Sequence, residues 1–173
     1  MKDLFGNHIE TDEEKYRRME SKKILDPCSG SRMFYFDKKN PLVAFGDIRE
    51  VNTTLCDGRK LEIKPDFICD CRNLPFDDDQ FHLVIFDPPH LRKAGETSWI
   101  AQKYGVLPSD DWREYLNQCF RECWRVLSKN GTLIFKWNED QIKVTEVLKC
   151  FSEKPIMGTP RGKTIFLVFF KNE

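Results

Sequence analysis

The stretch Leu83-Val84-Ile85-Phe86-Asp87-Pro88-Pro89-His90 joins a fully apolar segment to a rigid acidic turn. Four consecutive apolar residues before a turn predict a buried strand. The two prolines fix φ at about −65° and lack backbone donors, which leaves the Asp87 carboxylate and the Pro88 carbonyl oxygen as acceptors at the strand end. An exposed amino group is a natural ligand for two such acceptors. Asp-Pro-Pro is also typical of a simple exit from a strand, so the rest of the chain must decide between the two interpretations.

Three other predicted strands also end at an aspartate. They are Lys22–Asp26, Leu42–Phe45 with Asp47 two residues later, and Asp66–Cys69 with Asp70 next. In an open parallel sheet, ligands bind beyond the carboxyl ends of the strands, so we expect the four carboxylates to border one cleft.

The ligand predicted for this cleft is a nucleoside. Asp47 follows the turn Pro27-Cys28-Ser29-Gly30-Ser31 by about twenty residues, which is the spacing of an acid that holds ribose hydroxyls. The turn allows close approach of a ligand at Gly30. No glycine-rich phosphate cradle or Lys-Ser/Thr pair is present, which argues against a triphosphate.

Further elements are predicted around these strands in the first half of the chain. Thr11-Asp12-Glu13-Glu14 has capping-box spacing, so a helix to about Glu20 is expected within a lead-in of residues 1–21. The turn after the first strand should open a helix, as in a βαβ unit. The segment Val51–Lys64 contains Asp57-Gly58 between partly alternating residues and predicts a β-hairpin, to which the sequence assigns no role.

The second half of the chain begins with a long basic and aromatic segment, residues 91–108, of the kind that is often functional. Ser109, Asp110 and Asp111 should cap a helix whose apolar positions run from Trp112 to Leu127 and which Asn130-Gly131 would end. The elements expected after it are a strand Thr132–Trp137, a helix from about Glu139 to Phe151, and a terminal antiparallel hairpin made of Pro155–Met157 and Thr164–Phe170.

Composition restricts the classes of protein and partner. With 173 residues we expect one domain, residues 1–173. Lys and Arg number 28 and Asp and Glu 28, so any polyanion would need a local basic patch. Seven cysteines, without an apolar leader or a membrane-length run, favour a reducing cytoplasm, no membrane association and no disulfides. Cys69 with Cys71, or Cys119 with Cys123, offers metal ligands, but there is no Cys-x2-Cys pair and we expect no metal.

Two motifs within Ile24–Phe170 resemble those of class I S-adenosylmethionine-dependent methyltransferases of the amino-methylating group, which act on DNA or RNA. Ile24-Leu25-Asp26-Pro27-Cys28-Ser29-Gly30-Ser31-Arg32 resembles the cofactor motif, which begins Asp-Pro and contains Gly-Ser-Gly. Asp87-Pro88-Pro89-His90 resembles the Asp-Pro-Pro-aromatic catalytic motif. The resemblance implies S-adenosylmethionine as cofactor. It also implies an α/β fold, a Rossmann-like, doubly wound sheet of seven mostly parallel strands with an antiparallel C-terminal hairpin.

The resemblance also implies roles for individual residues. The catalytic turn would be Asp87, Pro88, Pro89 and His90. The cofactor would contact Asp26, Pro27, Cys28 and Gly30 at its methionine end, Asp47 at its ribose, and Asp70, Cys71 and Leu74 at its adenine. Basic and aromatic residues suited to a nucleic acid backbone and to stacking are Arg92, Lys93, Trp99, Lys103, Tyr104 and Trp137.

The chain departs from the family pattern at two positions. Arg32 stands where the cofactor motif has its second glycine, and a side chain there could block the ligand or demand a strained backbone angle. His90 replaces the aromatic residue that stacks on the target base, so Trp99, Tyr104 or Trp137 is expected to share that task.

The expected function is therefore methyl transfer to an exocyclic amino group of a nucleic acid base, at adenine N6, cytosine N4 or guanine N2. DNA and RNA both fit, and because no span is left for a separate target-recognition domain, a partner subunit could select the target. The alternatives are a catalytically inactive binding or partner subunit, and a methyltransferase for a protein amide or a small-molecule amine. A protein-amide enzyme usually has Asn where this chain has Asp87.

Overall fold

The computed structural model describes residues 10–95, 98–108 and 110–172. These residues form nine strands and four α-helices. The strands are β1 (Ile24–Asp26), β2 (Val43–Asp47), β3 (Val51–Thr54), β4 (Lys60–Ile63), β5 (Phe67–Ile68), β6 (Phe81–Phe86), β7 (Leu127–Asn138), β8 (Met157–Gly158) and β9 (Thr164–Phe170). The helices are α1 (Asp12–Glu20), α2 (Trp99–Tyr104), α3 (Trp112–Val126) and α4 (Val144–Val147), the last continued by a 3-10 turn, Leu148–Cys150.

Seven of the strands form one sheet in the order β5-β2-β1-β6-β7-β9-β8. The first five in this order pair in parallel, and β9 and β8 join antiparallel to their neighbours. The chain leaves β1 toward β2 and β5 and then returns to the other side of β1 with β6. The strand order thus reverses at β1, where an open sheet forms its ligand crevice. The predicted fold class, a mostly parallel seven-stranded sheet with an antiparallel C-terminal hairpin, is confirmed.

The predicted hairpin is also present but stands apart from the large sheet. Strands β3 and β4 pair antiparallel from Val51 opposite Ile63 to Thr54 opposite Lys60. Their apolar side chains Leu55, Leu61 and Ile63 form a small separate cluster with Val51 and Trp99. The hairpin therefore packs against α2 rather than extending the sheet.

Strand β2 and helix α3 contribute many of the buried side chains of the core. Every residue of β2 is buried, as expected for a strand inside a sheet that is covered on both faces. Helix α3 buries Trp112, Leu116, Cys119, Phe120, Cys123 and Val126, which recur at helical spacing. Phe120 stacks on Phe151 with ring centroids 4.1 Å apart.

The capping box at Thr11 is present, since Glu14 N donates to Thr11 Oγ1 at 3.2 Å and Thr11 N donates to the Glu14 carboxylate at 2.8 Å. Helix α3 begins after Asp111, whose carboxylate accepts from Glu114 N at 3.1 Å. Ser109, which the sequence also placed in this cap, lies outside the described residues.

The helix predicted after β1 is absent, and residues 27–42 form turns and bends. Gly30 and Arg32 have φ of 50° and 56°, which lie in the left-handed region and cannot continue a right-handed helix. The sequence prediction was wrong here because Arg32 adopts an angle that a non-glycine residue rarely takes.

Three other boundaries differ from the sequence prediction. Helix α3 ends at Val126 and β7 begins at once, so Asn130-Gly131 lies within that strand, beside an irregularity in its pairing with β6. The predicted helix Glu139–Phe151 is reduced to α4 and its 3-10 turn, because Asn138 Oδ1 accepts from Asp140 N and the Glu139 carboxylate accepts from Val144 N. The segment 91–108, for which the sequence predicted no helix, contains α2.

No helix in the described part of the chain is both long and apolar enough to span a bilayer.

Candidate active site

An ion pair lies at the adjoining ends of β6 and β7. The two strands run parallel with Ile85 opposite Ile134 and Phe86 opposite Phe135. The next residues, Asp87 and Lys136, therefore lie side by side. Lys136 Nζ donates to both carboxylate oxygens of Asp87 at 3.0 Å. Both side chains are largely buried, with 17% of Asp87 and 11% of Lys136 exposed.

Two opposing effects act on the pKa of Asp87. Burial raises the pKa of Asp87 to about 6, while the adjacent ammonium of Lys136 opposes the rise. The carboxylate is therefore mainly ionised at neutral pH, although it is close to titration. Lys136 Nζ also lies 4.7 Å from the ring centroid of Phe34 and 5.9 Å from that of Tyr104.

His90 contributes an uncharged ring beside this pair. Its side chain is buried, and its ring centroid lies 5.4 Å from that of Tyr104 and 6.4 Å from that of Trp137. Burial, followed by the positive charge of Lys136, lowers the pKa of His90 to about 4. At neutral pH the imidazole is therefore a neutral, flat surface rather than a cation.

The loop after β1 is fastened to the ends of β1 and β2. Cys28 N donates to the Asp26 carboxylate at 3.2 Å, and Gly30 N donates to the Asp47 carboxylate at 2.9 Å. The hydroxyl of Ser29 is buried and has no hydrogen-bond partner among the described residues. A Cβ on Gly30 would meet nothing within 4 Å. The loop thus leaves open space beside Gly30, and its buried Ser29 hydroxyl lacks the partner that a buried polar group normally has.

Helix α2 is held over this loop by Arg49. Asp47 Oδ1 accepts from Arg49 N at 2.9 Å and from Arg49 Nε at 3.2 Å, and Arg49 Nη1 donates to the carbonyl oxygen of Gln102 at 3.2 Å. Gly105, with φ of 74°, lets the helix end approach Pro89, whose Cγ would lie 3.3 Å from an added Cβ. The segment that carries Tyr104 therefore lies directly against the Pro-Pro turn.

Two cavities meet at Asp87. The larger, of about 650 Å³, lies between the β1 loop, the Pro-Pro turn, α2 and the ends of β7 and β9. This volume is within the range of small-molecule sites, about 300–1,000 Å³. The smaller, of about 40 Å³, extends toward Asp47 and Cys71. Tyr104 and Arg49 line both cavities, so movement of these two side chains would join and widen them.

Most of the predicted site residues line these two cavities. Those on the larger one are Cys28, Gly30, Asp87, Pro88, His90, Lys93, Trp99, Lys103 and Tyr104. Those on the smaller one are Pro27, Cys28, Asp47, Cys71, Asp87, Pro89 and Tyr104. The Pro-Pro turn, the β1 loop and segment 91–108 are thus brought together.

Five predicted site residues line neither cavity. Asp26 is buried below the β1 loop and accepts from Tyr35 Oη at 2.9 Å. Asp70 forms an ion pair with Arg72, whose hydrogen bonds lower the pKa of that carboxyl. Trp137 belongs to the core, where its Nε1 donates to the carbonyl oxygen of Ile142 at 2.8 Å. Leu74 is buried in the same core, and Arg92 is exposed with its backbone N bonded to Gln141.

Arg32 does not enter the larger cavity. Its guanidinium donates to the carbonyl oxygens of Lys38 and Lys64 at 2.7 and 2.8 Å and to the Asp66 carboxylate at 2.9 Å. Its Cζ lies 4.0 Å from the centroid of the Phe45 ring. These contacts offset the cost of a positive φ, which is about 1–2 kcal/mol for a non-glycine residue. The side chain that replaces the second glycine is thus turned away from the ligand space.

Three residues of the site were not predicted from the sequence, namely Lys136, Phe34 and Arg49. A signal for Lys136 was available, because a single lysine interrupts the apolar run Ile134-Phe135-Lys136-Trp137 of a central strand. A buried charge of this kind normally has a partner. Phe34 and Arg49 gave no comparable signal, since an exposed aromatic residue and a surface arginine are common in loops.

Burial disfavours the thiolate form of the cysteines near the site. All seven cysteines are free, and the Sγ atoms of Cys71 and Cys123 lie 3.7 Å apart. Burial raises the pKa of Cys69 and of Cys123 above the usual thiol range. In the described residues, no group of three or more His, Cys, Asp and Glu side chains is arranged to hold a metal ion.

Comparison with known proteins establishes the fold. No protein-family model and no curated protein matches the chain. The solved structure of the PH0226 protein from Pyrococcus horikoshii matches with a TM-score of 0.57 and 18% identity over 95% of each chain. The two chains share a fold. At 18% identity the likeness extends to the fold alone.

Two other solved structures match with lower scores. One is a protein from Methanococcus maripaludis that is described as a proposed S-adenosyl-L-methionine-dependent methyltransferase. It matches with a TM-score of 0.47 and 12% identity over 92% of this chain and 84% of that one. The other is HI0767 from Haemophilus influenzae, proposed to be a methylase, with a TM-score of 0.46 and 12% identity over 93% and 96%. At these scores neither likeness indicates a shared function.

Proposed function

We propose that this protein is an S-adenosylmethionine-dependent methyltransferase that modifies an exocyclic amino group of a nucleic acid base. The observation that carries the proposal is the position of Asp87 and Pro88. Both line the larger cavity, which is also lined by the β1 loop with its open Gly30 and its buried Ser29 hydroxyl that lacks a partner among the described residues. An acceptor pair for an amine and a cradle for a nucleoside-bearing ligand thus face the same space.

The residues around the cavities suit the proposed cofactor in their chemistry. Cys28, Ser29 and Gly30 would hold its methionine end, and Asp47 would hold its ribose once Arg49 gives up one carboxylate oxygen. When bound, S-adenosylmethionine supplies a methyl group on a positively charged sulfonium. The narrow space beside Asp47 requires Tyr104 and Arg49 to move, and both belong to the contacts that hold α2 over the site.

Asp87 and Pro88 would act on the amine of the base. The nitrogen lone pair of such an amine is delocalised into the ring, and two acceptors that take its two N–H bonds favour the pyramidal form with a free lone pair. The Asp87 carboxylate and the Pro88 carbonyl oxygen are such acceptors. With a pKa of about 6, Asp87 is ionised at neutral pH and can receive the proton that the nitrogen loses on methylation.

His90 and Lys136 would position the base and the acid. The neutral ring of His90 and the ring of Tyr104 both line the cavity, and either would offer a face on which a base can stack. Lys136 keeps Asp87 ionised, and it must share or release a carboxylate oxygen when the amine arrives. Positioning of this kind contributes up to about 7–11 kcal/mol to methyl transfer between held reactants.

The first test is calorimetric titration of the purified protein with S-adenosylmethionine and with S-adenosylhomocysteine. We expect both to bind, and absence of binding by either would overturn the proposal in favour of a noncatalytic binding subunit. The second test is transfer of labelled methyl from S-adenosylmethionine to separate pools of DNA, RNA, protein and small amines. Label on a base amino group, identified after nuclease digestion, supports the proposal, whereas label confined to protein or small amines contradicts it.

A further inference from the structure

A second groove lies beside the candidate active site. It has a volume of about 690 Å³, slightly more than that of the larger of the two cavities at Asp87, and runs between the β1 loop and the β3–β4 hairpin. Gly30, Ser31, Met33 and Lys103 line both this groove and the larger cavity. A ligand that occupies the groove is therefore continuous with one that occupies the cavity. We call this surface the hairpin groove.

The hairpin groove is strongly basic. Seven of its lining residues are cationic and one, Glu62, is acidic, although the whole chain has no net charge. Arg32 and Arg59 are paired with Asp66 and Asp57. The remaining cations have no carboxylate within 4.0 Å in the described part of the chain, and they are Lys38, Lys39, Lys60, Lys64 and Lys103.

These lysines come from three separate segments of the chain. Lys60 and Lys64 alternate with buried Leu61 and Ile63 along and just beyond β4, so both lie on its outer face. Lys38 and Lys39 belong to the loop between β1 and β2, and Lys103 belongs to α2. Lysines on an exposed strand edge are common and prevent aggregation. That role does not explain why cations from a loop and a helix converge on the same groove.

The β1 loop, which forms one side of the groove, also carries exposed apolar side chains. Phe36 is fully exposed, and Met33 and Phe34 are 57% and 43% exposed. Met33 lines both the groove and the larger cavity, and Phe34 lines the cavity. A cationic groove beside exposed aromatic rings is the combination that binds single-stranded nucleic acid, with phosphates on the cations and bases on the rings.

We infer that the hairpin groove binds the phosphodiester backbone of a nucleic acid strand whose target base enters the larger cavity. The entry of the target base into the cavity rests on the proposed function. Binding of the backbone in the groove rests on the convergence of unpaired lysines. It also gives the β3–β4 hairpin two roles. Its outer face supplies Lys60 and Lys64, and its inner face supports α2 through Trp99.

The test is fluorescence anisotropy with fluorescein-labelled 20-nucleotide single strands of DNA and of RNA in the same mixed sequence, titrated at several salt concentrations without cofactor. The variant Lys60→Gln/Lys64→Gln removes two groove charges from solvent-exposed positions. The matched control is Lys129→Gln/Lys154→Gln, which removes two exposed charges that do not line the groove.

We expect the groove variant to lose at least tenfold in affinity at low salt. The slope of log affinity against log salt concentration should fall by about 1.4, since each phosphate contact on a single strand contributes about 0.7. The control should stay within about twofold of the unmodified protein. Equal weakening of both variants, or no binding of either strand at low salt, overturns the inference.

The comparison of the two strands shows which nucleic acid the groove prefers. The assay also separates this inference from the proposed function, because it contains no cofactor. Groove-dependent binding without any methyl transfer supports the groove and overturns the methyltransferase proposal. Methyl transfer without groove-dependent binding overturns the groove alone.

Discussion

Lys136 Nζ lies 3.0 Å from each carboxylate oxygen of Asp87, so both oxygens of the acid that would receive the substrate amine already accept a hydrogen bond. The pair is mostly buried, and Lys136 opposes the rise in the Asp87 pKa that burial causes. Lys136 therefore favours the ionised state of the acid that the proposed reaction needs, and at the same time it would compete with the substrate amine for the carboxylate.

Replacing Lys136 by Met should move the acidic limb of the pH–rate profile to higher pH. In the unmodified protein kcat/KM should fall as pH falls through about 6, where Asp87 takes up a proton. An opposite charge at this distance lowers a carboxyl pKa by about 1–3 units, so its loss should raise the limb by that amount. Lys136→Arg keeps the charge and should leave the limb in place. A Met variant with an unmoved limb would show that Lys136 does not control Asp87.

Replacing Asp87 by Asn should reduce methyl transfer by about 10²–10³-fold or more, as for loss of a comparable electrostatic contact in other enzymes. The amide has one acceptor oxygen in place of two and carries no charge. Binding of S-adenosylhomocysteine, measured by calorimetry, should change by less than about twofold.

The Asn variant also leaves Lys136 without its partner, and this effect needs its own control. The double variant Asp87→Asn/Lys136→Met removes both charges together. We expect it to be as inactive as the single variant. Recovered activity in the double variant would mean that the unpaired lysine, rather than the lost acceptor, caused the defect.

Local patterns predicted most of the fold. The acidic strand ends, the capping box at Thr11 and the hairpin turn at Asp57-Gly58 each depend on residues within a few positions of one another. Periodicity and turn chemistry act over the same range, which is why these predictions agree with the structure.

The features that the sequence did not predict depend on distant contacts. The ion pair of Lys136 with Asp87 requires the register of two strands whose residues are 49 positions apart. The missing helix after β1 follows from Arg32, whose backbone angle is stabilised by Asp66, 34 positions away. Neither relationship can be deduced from local sequence, because the same residues in another topology would not meet.

We expect two small substitutions at Arg32 to reveal the strain of its backbone when their stabilities are compared. Arg32→Ala and Arg32→Gly both remove the contacts to Asp66, Lys38 and Lys64, so both should be less stable than the unmodified protein. Glycine adopts a φ of 56° without the steric cost that alanine meets. Arg32→Gly should therefore exceed Arg32→Ala by about 1 kcal/mol in the free energy of unfolding in urea.

A matched pair at Asp37, which lies in the same loop without a positive φ, controls for glycine flexibility. There the order should reverse, with Asp37→Ala the more stable, because glycine adds freedom to the unfolded chain. The same order at both positions would contradict the strain at Arg32.

Asp26 should make stability fall as pH rises between about 4 and 7. Burial raises the pKa of Asp26 to about 7, although the hydroxyl of Tyr35 and the backbone N of Cys28 donate to its carboxylate. In that window Asp26 is protonated in the folded protein and ionised in the unfolded chain. The stability that the protonated carboxyl contributes is fully present below the pKa of the unfolded chain, and it is lost as pH rises through the pKa of the folded protein.

The variant Asp26→Asn cannot titrate, and its side chain can still bond to Cys28 N and Tyr35 Oη. The difference in the free energy of unfolding, variant minus unmodified protein, should therefore increase from pH 4 to pH 7 by up to about 1.4 kcal/mol per pH unit. Urea unfolding of both proteins at each pH measures this difference. Other carboxyl groups titrate alike in the two proteins and cancel, so a difference that stays constant across the window would mean that Asp26 is ionised within the folded core.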